Sequence, residues 1–321
     1  MISIIIPTYY SQKYLEKCLG AVAGQTFPAE QIELIVVDNG SSDRTVAIAK
    51  AYTKNVIIDA DANVSGLRNI GARRATGDVL FFLDSDCVPG KDWVKNALTL
   101  MKEKQVSVVG CWYWISNKPT WVEKVWDLQM SWRRGEGQFV KWVPSGDLII
   151  KREVFLSVHG FNEALKTGED TDICTRLIDG GNRIYSSSNI AVTHLGEAKT
   201  VKQFFLKQRW HGIGAVQRFV REFPRYITDK TMVFSFFLIC SLIGIIKSLL
   251  TKDLLGIVLF VLLAFVIPLV MSIKTILRTR EYRYSGALVF LYFIYGLART
   301  VALFDLNLWG RELVAIKGKK D

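Results

Sequence analysis

The chain has 321 residues, of which 50% are hydrophobic, and a formal net charge of +11. This length is enough for one catalytic domain and a further segment. Short apolar runs alternate with polar turns up to about residue 230, and three long apolar stretches follow. This uneven distribution excludes a protein that is soluble throughout its length.

The first residues, 1–8, predict a β-strand and no signal peptide, because they carry neither a basic leader nor a cleavage site. We therefore expect the polar part of the chain to remain in the cytoplasm. The cysteines contain no Cys-x-x-Cys pair, which fits a reducing compartment and argues against a disulfide scaffold or structural zinc. We expect all five to be small core residues: Cys18, Cys87, Cys111, Cys174 and Cys240.

Strands and helices alternate over the first part of the chain. In order, the sequence predicts strand 3–9, helix 12–23, strand 33–38, a helix that begins near Thr45, helix 67–75 and strand 79–83. This alternation implies a doubly wound, mostly parallel sheet. Because ligands of such sheets bind beyond the carboxyl ends of the strands, the residues that follow these strands should converge on one crevice.

Two carboxylates, Asp84 and Asp86, follow the apolar strand 79–83 and are separated by one residue. They repel each other unless a cation lies between them, and a hard divalent ion that carries phosphate oxygens is the usual partner. The pattern therefore predicts a metal-diphosphate site. A solvated turn at the end of a strand is the alternative.

Three apolar stretches near the end of the chain each have about the twenty residues that a helix needs to cross a bilayer: 232–250, 254–273 and 285–304. The loop 274–283 between the last two is basic, which agrees with a cytoplasmic position. The third stretch contains Arg299, and its crossing would place the basic residues 317–320 outside. Either it crosses with Arg299 facing protein, or it is re-entrant or interfacial.

Basic and aromatic residues are interleaved over residues 199–225, directly before the first apolar stretch. This pattern is found in nucleic-acid-binding segments, but beside a membrane span an interfacial helix is the simpler interpretation. We therefore expect no nucleic-acid partner. Six of the nine tryptophans lie between residues 112 and 142, and tryptophan faces stack on sugars, so this segment is a candidate wall for an acceptor.

Taken together, these motifs resemble the inverting, GT-A-fold glycosyltransferases of family 2. The resemblance covers about residues 2–212 and rests on five segments in matching order: 3–9, 36–43, 68–71, 77–86 and 168–172. It implies an α/β fold, with a Rossmann-like, mostly parallel GT-A catalytic domain followed by an all-α membrane region. We expect the domains at residues 1–198, 199–230 (interfacial helices) and 231–321 (two to three transmembrane helices).

The resemblance implies that the first two strand ends and the acidic motif bind a nucleotide-sugar. These roles fall on Pro7, Thr8, Tyr9, Asp38, Asn39, Arg68, Asp84 and Ser85. Relatives often carry two acids where this chain has Asp38 and Asn39, which leaves the nucleotide base open. For Asp38 the alternative is turn chemistry, and for Arg68 it is an exposed helical arginine.

In metal-dependent relatives the last acid of the motif is usually the direct ligand, which implies that Asp86, with Asp84, holds Mg²⁺ or Mn²⁺ on the diphosphate. A Lewis acid there offsets the charge of the leaving nucleoside diphosphate. His194 resembles a histidine that contacts metal or diphosphate in this fold. A hydrogen-bonded structural histidine is the alternative.

By similarity, Asp170 is the base that takes the proton of the acceptor hydroxyl while the anomeric carbon is attacked. Glu169 is then expected to bind acceptor or sugar hydroxyls, and an acidic helix N-terminus favoured by the helix dipole is the alternative for both. Arg209 and Trp210, also assigned to acceptor or sugar binding, end an incomplete Gln-x-x-Arg-Trp signature with Leu206 in place of the glutamine.

The sequence thus predicts an inverting, metal-dependent glycosyltransferase at the cytoplasmic face of the cytoplasmic membrane, with its catalytic domain in the cytoplasm. It would move one sugar from a nucleotide-sugar to a hydroxyl or phosphate of a lipid-linked acceptor, in cell-surface polysaccharide or glycolipid synthesis. A processive polysaccharide synthase and a non-catalytic membrane component with a degenerate nucleotide-binding head are the alternatives. The donor sugar, the base, the acceptor and the oligomeric state stay open.

Overall fold

The computed structural model describes residues 1–131, 134–135, 137–221 and 229–304, which fall into two compact units. The first unit comprises residues 1–118 and the described part of 133–197. The second comprises residues 119–131 and the described residues from 198 onward. The chain therefore leaves the first unit twice, once for a short excursion and once for its remainder.

Eleven strands are present among the described residues. They are β1 (Ile2–Thr8), β2 (Ile32–Asp38), β3 (Val56–Ile58), β4 (Val79–Leu83), β5 (Cys87–Val88), β6 (Val108–Gly110), β7 (Trp114–Ile115), β8 (Gln138–Val140), β9 (Asp147–Lys151), β10 (Ile184–Ser186) and β11 (Thr193–His194). Eight of them form one sheet in the order β3-β2-β1-β4-β9-β6-β10-β8, and β5, β11 and β7 form a small second sheet.

The large sheet is parallel in its first half and mixed in its second. β1 is buried along its whole length and pairs in parallel with β2 and β4, as expected for an apolar strand covered on both faces. β9 runs antiparallel to β4 and β6, and β8 runs antiparallel to β10. The predicted α/β class is confirmed, and the mixed half is a feature that the strand pattern did not indicate.

The same described residues contain eleven α-helices. They are α1 (Leu15–Ala23), α2 (Thr45–Tyr52), α3 (Val64–Arg74), α4 (Trp93–Glu103), α5 (Trp121–Ser131), α6 (Arg152–Ser157), α7 (Glu169–Asp179), α8 (Val201–Arg221), α9 (Lys230–Leu250), α10 (Leu254–Thr279) and α11 (Ser285–Leu303). α3 begins before its predicted start, because the Asn63 side chain caps it by accepting the N–H of Gly66 at 3.0 Å.

Two apolar cores lie on opposite faces of the large sheet. Because successive side chains of a strand alternate between faces, Ile4 and Ile6 belong to one core and Ile5 to the other. α3 packs closely on the second face, since a Cβ at Gly71 would lie 2.4 Å from Ile5 Cγ2. This close packing fixes the helix that carries Arg68.

In the second unit, three helical segments of the described chain are long and apolar enough to cross a membrane: Lys230–Leu250, Leu254–Thr279 and Tyr282–Leu303. The arginine of the third segment contacts other protein groups. Arg299 Nη2 donates to Gln208 Oε1 of α8 at 3.3 Å, and its guanidinium lies 4.8 Å from the ring centroid of Tyr295. Arg299 therefore faces neighbouring side chains, which is the arrangement that a spanning helix with an arginine requires.

The excursion that contains α5 belongs to the second unit. Its apolar face shares a cluster with α8, α10 and α11 through Val122, Val125, Leu128, Phe204, Ile276, Leu288 and Leu291. Thr120 and Glu123 cap each other's backbone N–H groups at the start of α5, and Lys199 Nζ donates to buried Glu123 at 3.0 Å. α5 is thus tied to α8, α10 and α11 by packing and to Lys199 by an ion pair.

The tryptophan-rich segment contributes residues to both units. Trp121 and Trp126 lie on α5 in the second unit, where Trp126 packs on Phe204 with ring centroids 4.6 Å apart. Trp112 and Trp142 pack on each other in the first unit, with centroids 5.7 Å apart. The predicted acceptor wall is therefore divided between the units, and Trp132 lies outside the described residues.

Candidate active site

The acidic pair follows β4, and its first member is held by protein groups on both oxygens. Asp84 Oδ1 accepts from Arg68 Nη2 at 2.6 Å, and Oδ2 accepts from the Tyr113 hydroxyl at 3.3 Å. Gly146 makes room for this carboxylate, because a Cβ there would lie 2.1 Å from Oδ2. Asp84 is therefore fixed in place, whereas Asp86 belongs to a different set of contacts.

Arg68 joins the acidic pair to the second acidic segment. Its guanidinium is 2% exposed, and Nη1 donates to Glu169 Oε1 at 2.9 Å, an oxygen that also accepts from Ser145 Oγ at 3.1 Å. Burial alone would lower the pKa of Arg68, but the carboxylates of Asp84 and Glu169 outweigh this effect and raise the pKa above its ordinary value. The alternative of an exposed helical arginine is wrong, and direct contact with a diphosphate stays a prediction.

The acids at the start of α7 have separate partners. Gly168 precedes them with φ of 84°, a left-handed conformation that strains any residue with a side chain. Asp170 is half-buried, and its Oδ1 accepts the N–H of Thr171 at 2.7 Å. Asp172 accepts from Arg176 one turn later at 3.0 Å. Glu169 binds Arg68 directly, so the helix dipole alone does not account for the arrangement.

His194, in the small sheet, lies between two carboxylates. Its Nε2 is 3.2 Å from Asp86 Oδ2, its Nδ1 is 2.8 Å from Glu197 Oε1, and its ring stacks on Tyr113 at 4.8 Å. Burial would lower the pKa of His194, but the attraction of Asp86 and Glu197 raises it to about 10. Gly196 lets the chain approach Asp86, because a Cβ there would lie 1.8 Å from Oδ2.

This part of the site has the donors that a divalent cation needs. One ligand atom each of Asp86, Cys87 and His194 form a group whose members all lie within 4.8 Å of one another. Glu197 holds the second nitrogen of the imidazole, as carboxylates commonly do behind metal-bound histidines. Asp86 and His194 therefore offer an oxygen and a nitrogen within reach of one cation, whereas both oxygens of Asp84 contact Arg68 and Tyr113.

At the carboxyl ends of β1 and β2, the predicted nucleotide-binding residues form an internal network. Asp38 is fully buried and accepts from Thr8 Oγ1 at 2.8 Å, from Ser41 Oγ at 2.7 Å and from the Ser41 N–H at 2.7 Å. Asn39 Nδ2 donates to two backbone carbonyls, those of Asp59 at 3.0 Å and Ala62 at 2.7 Å. The turn chemistry considered for Asp38 is therefore present, and Asn39 anchors the neighbouring loop.

The remaining predicted residues are distributed along both units. Pro7 is buried within β1, whereas Tyr9 beyond its end is 60% exposed. The Ser85 hydroxyl lies 2.8 Å from that of Ser11. Arg209 and Trp210 are exposed residues of α8 in the second unit, and their role in acceptor or sugar binding stays a prediction.

Several residues of the network carry no signal in the sequence. Tyr113 contacts both Asp84 and His194, but nothing in the sequence distinguishes it from the other aromatic residues around it. Ser145 and Gly146 precede β9, and their importance follows only from the position of that strand beside β4. Glu197 offers a weak signal, since an acid three residues after a candidate ligand histidine is a common supporting partner.

Comparison with known families gives two matches. A family described as "Glycosyl transferase family 2" matches residues 3–154, and one described as "Glycosyl transferase family group 2" matches residues 79–306. Together they span both units described above.

Two similar proteins cover most of the chain. Glycosyltransferase AglE of Haloferax volcanii is 29% identical over 227 residues, which are 67% of this chain and 73% of that protein. The Methanococcus voltae protein named dolichyl N-acetyl-alpha-D-glucosaminyl phosphate 3-beta-D-2,3-diacetamido-2,3-dideoxy-beta-D-glucuronosyltransferase is 25% identical over 323 residues, covering 92% of this chain and 94% of its own length.

Two solved structures share the fold. Mannosyltransferase PcManGT from Pyrobaculum calidifontis, in complex with GDP-Man and Mn²⁺, has a TM-score of 0.63 at 16% identity and covers 95% of this chain and 87% of its own. Residues 1–349 of S. aureus TarS, in complex with UDP-GlcNAc, have a TM-score of 0.51 at 20% identity, with 92% and 90% covered.

Proposed function

Since the chain belongs to glycosyltransferase family 2 and is a glycosyltransferase, we propose that it is an inverting, metal-dependent enzyme that transfers one sugar from a nucleotide-sugar to a lipid-linked acceptor. The observation that carries the proposal is the Arg68 bridge, which holds Asp84 of the donor-side acids and Glu169 of the acceptor-side acids in one buried network. We assign catalysis to the first unit and membrane attachment to the second.

The nucleotide lies at the ends of β1 and β2 in this proposal. Asp38 and Thr8 hold the turn rigid through their mutual hydrogen bond, and Asn39 fixes the adjoining loop. Exposed Tyr9 then offers its ring to the base, and the Pro7–Thr8 backbone and Ser85 border the ribose and diphosphate. Solved relatives in complex with UDP-GlcNAc and with GDP-Man support a nucleotide-sugar donor without choosing the base.

Asp86 and His194 would hold Mg²⁺ or Mn²⁺, which offsets the charge of the leaving nucleoside diphosphate. Glu197 orients His194 so that Nε2 faces Asp86. Asp84 contributes through its fixed charge, which Arg68 balances within the protein. The Mn²⁺ in a solved relative with this fold supports a cation here.

Asp170 is the proposed base. Glu169 is buried against Arg68 and Ser145, whereas the neighbouring Asp170 in the first turn of α7 is only half-buried and so is more accessible to an acceptor hydroxyl. Asp170 would take the hydroxyl proton of the acceptor on a carboxylate oxygen while the acceptor oxygen attacks the anomeric carbon. Attack from the face opposite the leaving group inverts the anomeric configuration.

The acceptor is proposed to be a polyprenyl phosphate or a saccharide carried on one. The relative from Methanococcus voltae bears the name of a dolichyl phosphate-linked saccharide transferase and covers nearly the whole chain. Three membrane-spanning helices would hold the enzyme in the cytoplasmic membrane with the catalytic unit in the cytoplasm, and the basic charge of the loop 274–283 agrees with a cytoplasmic position of that loop. In the first unit, Glu169 is a proposed contact of the acceptor or sugar. In the second unit, Arg209 and Trp210, at exposed positions of α8, are proposed for the same role.

The test uses the full-length protein in detergent with a panel of nucleotide-sugars, divalent cations and polyprenyl phosphates. We expect release of nucleoside diphosphate for one donor, addition of a single sugar with inverted configuration, and losses of orders of magnitude in Asp170→Asn and Asp86→Ala. Full activity of both variants would overturn the site assignment. Long products would indicate a processive synthase, and a protein that binds neither nucleoside diphosphate nor Mn²⁺ would be a non-catalytic component.

A further inference from the structure

Cys87 lies beside the proposed cation ligands on the same face of the small sheet. β5 and β11 run antiparallel with Cys87 directly opposite His194, and directly opposite residues of paired strands point to the same side. Cys87 is fully buried, and Asp86 precedes it in the chain. The thiol therefore lies in the wall of the site that Asp86 and His194 form.

The distances allow all three side chains to bind one ion. A carboxylate oxygen, the Cys87 sulfur and an imidazole nitrogen all lie within 4.8 Å of one another. Metal–oxygen and metal–nitrogen bonds of about 2.0 Å and metal–sulfur bonds of about 2.3 Å require ligand atoms about 3–4 Å apart in a tetrahedral site. Side-chain movements of about 1 Å would close the remaining gap.

We propose that Cys87 is a third donor to the cation held by Asp86 and His194, and that this site therefore binds thiophilic divalent cations such as Cd²⁺, Zn²⁺ and Co²⁺. The proposal rests on the proposed function in one respect, the assignment of Asp86 and His194 as cation ligands. The thiol loses its proton to the buffer on binding, and the thiolate sulfur donates an electron pair to the ion. Cys87 is then more than the small core residue that its sequence context indicates.

The chemistry of the donors supports this preference. Hard cations such as Mg²⁺ and Mn²⁺ favour oxygen ligands, whereas imidazole and thiolate together favour zinc and its neighbours. Glu197, at 2.8 Å from Nδ1, leaves Nε2 of His194 directed toward Asp86. A thiophilic ion would therefore displace Mn²⁺ from this site and inhibit sugar transfer.

The test titrates the full-length protein in detergent with Co²⁺, because thiolate-bound Co²⁺ has a charge-transfer absorption in the near ultraviolet. We expect one bound ion with this absorption. Cys87→Ser should lose the absorption and weaken Cd²⁺ binding by about tenfold or more, with a smaller change for Mn²⁺. Cys111→Ser, another buried cysteine of the same unit that is outside the three-donor group, should keep both.

The possible outcomes separate this proposal from the assigned function. Binding of Co²⁺ without the absorption, or an absorption that survives in Cys87→Ser, overturns the thiol donor and leaves the Asp86–His194 site standing. Absence of both Co²⁺ and Mn²⁺ binding overturns the cation site itself and the thiol donor with it. X-ray absorption of the Co²⁺-loaded natural protein needs no variant: a sulfur shell at about 2.3 Å supports the proposal, and a shell of oxygen and nitrogen alone contradicts it.

Discussion

Arg68 and Glu169 are 101 residues apart in the sequence and share a buried hydrogen bond of 2.9 Å between Nη1 and Oε1. The other terminal nitrogen of Arg68 binds Asp84 at 2.6 Å. One guanidinium therefore balances two carboxylates from different motifs. Removal of the guanidinium leaves two carboxylates without their common cation, and removal of either carboxylate leaves a terminal N–H of buried Arg68 without its acceptor; both changes are costly.

Replacement of Arg68 by methionine should lower the free energy of unfolding by about 3–5 kcal/mol, because Asp84 and Glu169 lose their common partner. Arg73→Met is the matched control on the same helix. Its side chain is 62% exposed and lies 3.8 Å from Glu163, so the expected change is within about 0.5 kcal/mol. Thermal unfolding in detergent measures both, and equal losses would contradict the bridge.

The two acids of the motif should respond differently to neutralisation. Asp84→Asn should mainly reduce stability, since Arg68 and Tyr113 bind its oxygens, whereas Asp86→Asn should mainly reduce affinity for Mn²⁺. Titration calorimetry and thermal unfolding of both variants check this division. The division is wrong if Asp84→Asn abolishes Mn²⁺ binding and leaves the melting temperature unchanged.

Gly196→Ala should weaken cation binding, because the added Cβ would lie 1.8 Å from Asp86 Oδ2 and must push the carboxylate aside. Gly90→Ala serves as the control, since a Cβ there meets nothing within 4 Å. Mn²⁺ affinity is the quantity to compare. An unchanged affinity in Gly196→Ala would show that the carboxylate has another productive position.

Stability of the cation-free protein should depend on pH through His194. Its pKa is raised from 6.5 to about 10 in the folded protein, so its charged contacts with Asp86 and Glu197 contribute fully below about pH 6.5. That contribution is lost as the pH rises toward 10. The melting-temperature difference between natural protein and His194→Gln, measured with chelator, should therefore shrink from pH 7 to pH 10. A constant difference would contradict the charge assignment.

Asp170→Asn should reduce kcat by about 10²–10⁴-fold with little change in the KM of the donor, because only proton removal is affected. Asp172→Asn, two residues further along α7, loses its pair with Arg176 and should change stability by about 0.5 kcal/mol with near-normal turnover. Steady-state kinetics with both variants decide the matter. Equal losses of kcat would indicate a general disturbance of the helix.

The order of strands and helices in the first half of the fold could be predicted because apolar periodicity reports burial directly. The predicted bounds of β4 agree with the structure at both ends, and those of β1 and β2 agree to within one residue. The antiparallel direction of β9 could not be predicted, since an apolar strand has the same composition in either direction. The sheet is therefore mixed where the sequence indicated parallel strands.

The site could be predicted only in part, for a related reason. Asp84 and Asp86 can be predicted as site residues because they directly follow an apolar strand. His194 can be predicted from the resemblance to the family. The partners of these residues are far from them in the sequence and meet them only in the folded chain. The Arg68 bridge and the contacts of Tyr113 therefore cannot be predicted from the spacing of residues in the sequence. For Asp38, the position at a strand end suggests a ligand contact, but in the structure its carboxylate accepts hydrogen bonds from Thr8 and Ser41.

The position of α5 limits how this enzyme can be shortened. A chain that ends at residue 197 would keep Val122, Val125 and Leu128 but remove Phe204, Leu288 and Leu291, the residues that cover them. It would also leave the buried carboxylate of Glu123 without its ion-pair partner Lys199. Truncation before α8 should therefore yield an aggregating protein, and a soluble form would require polar replacements on α5 as well.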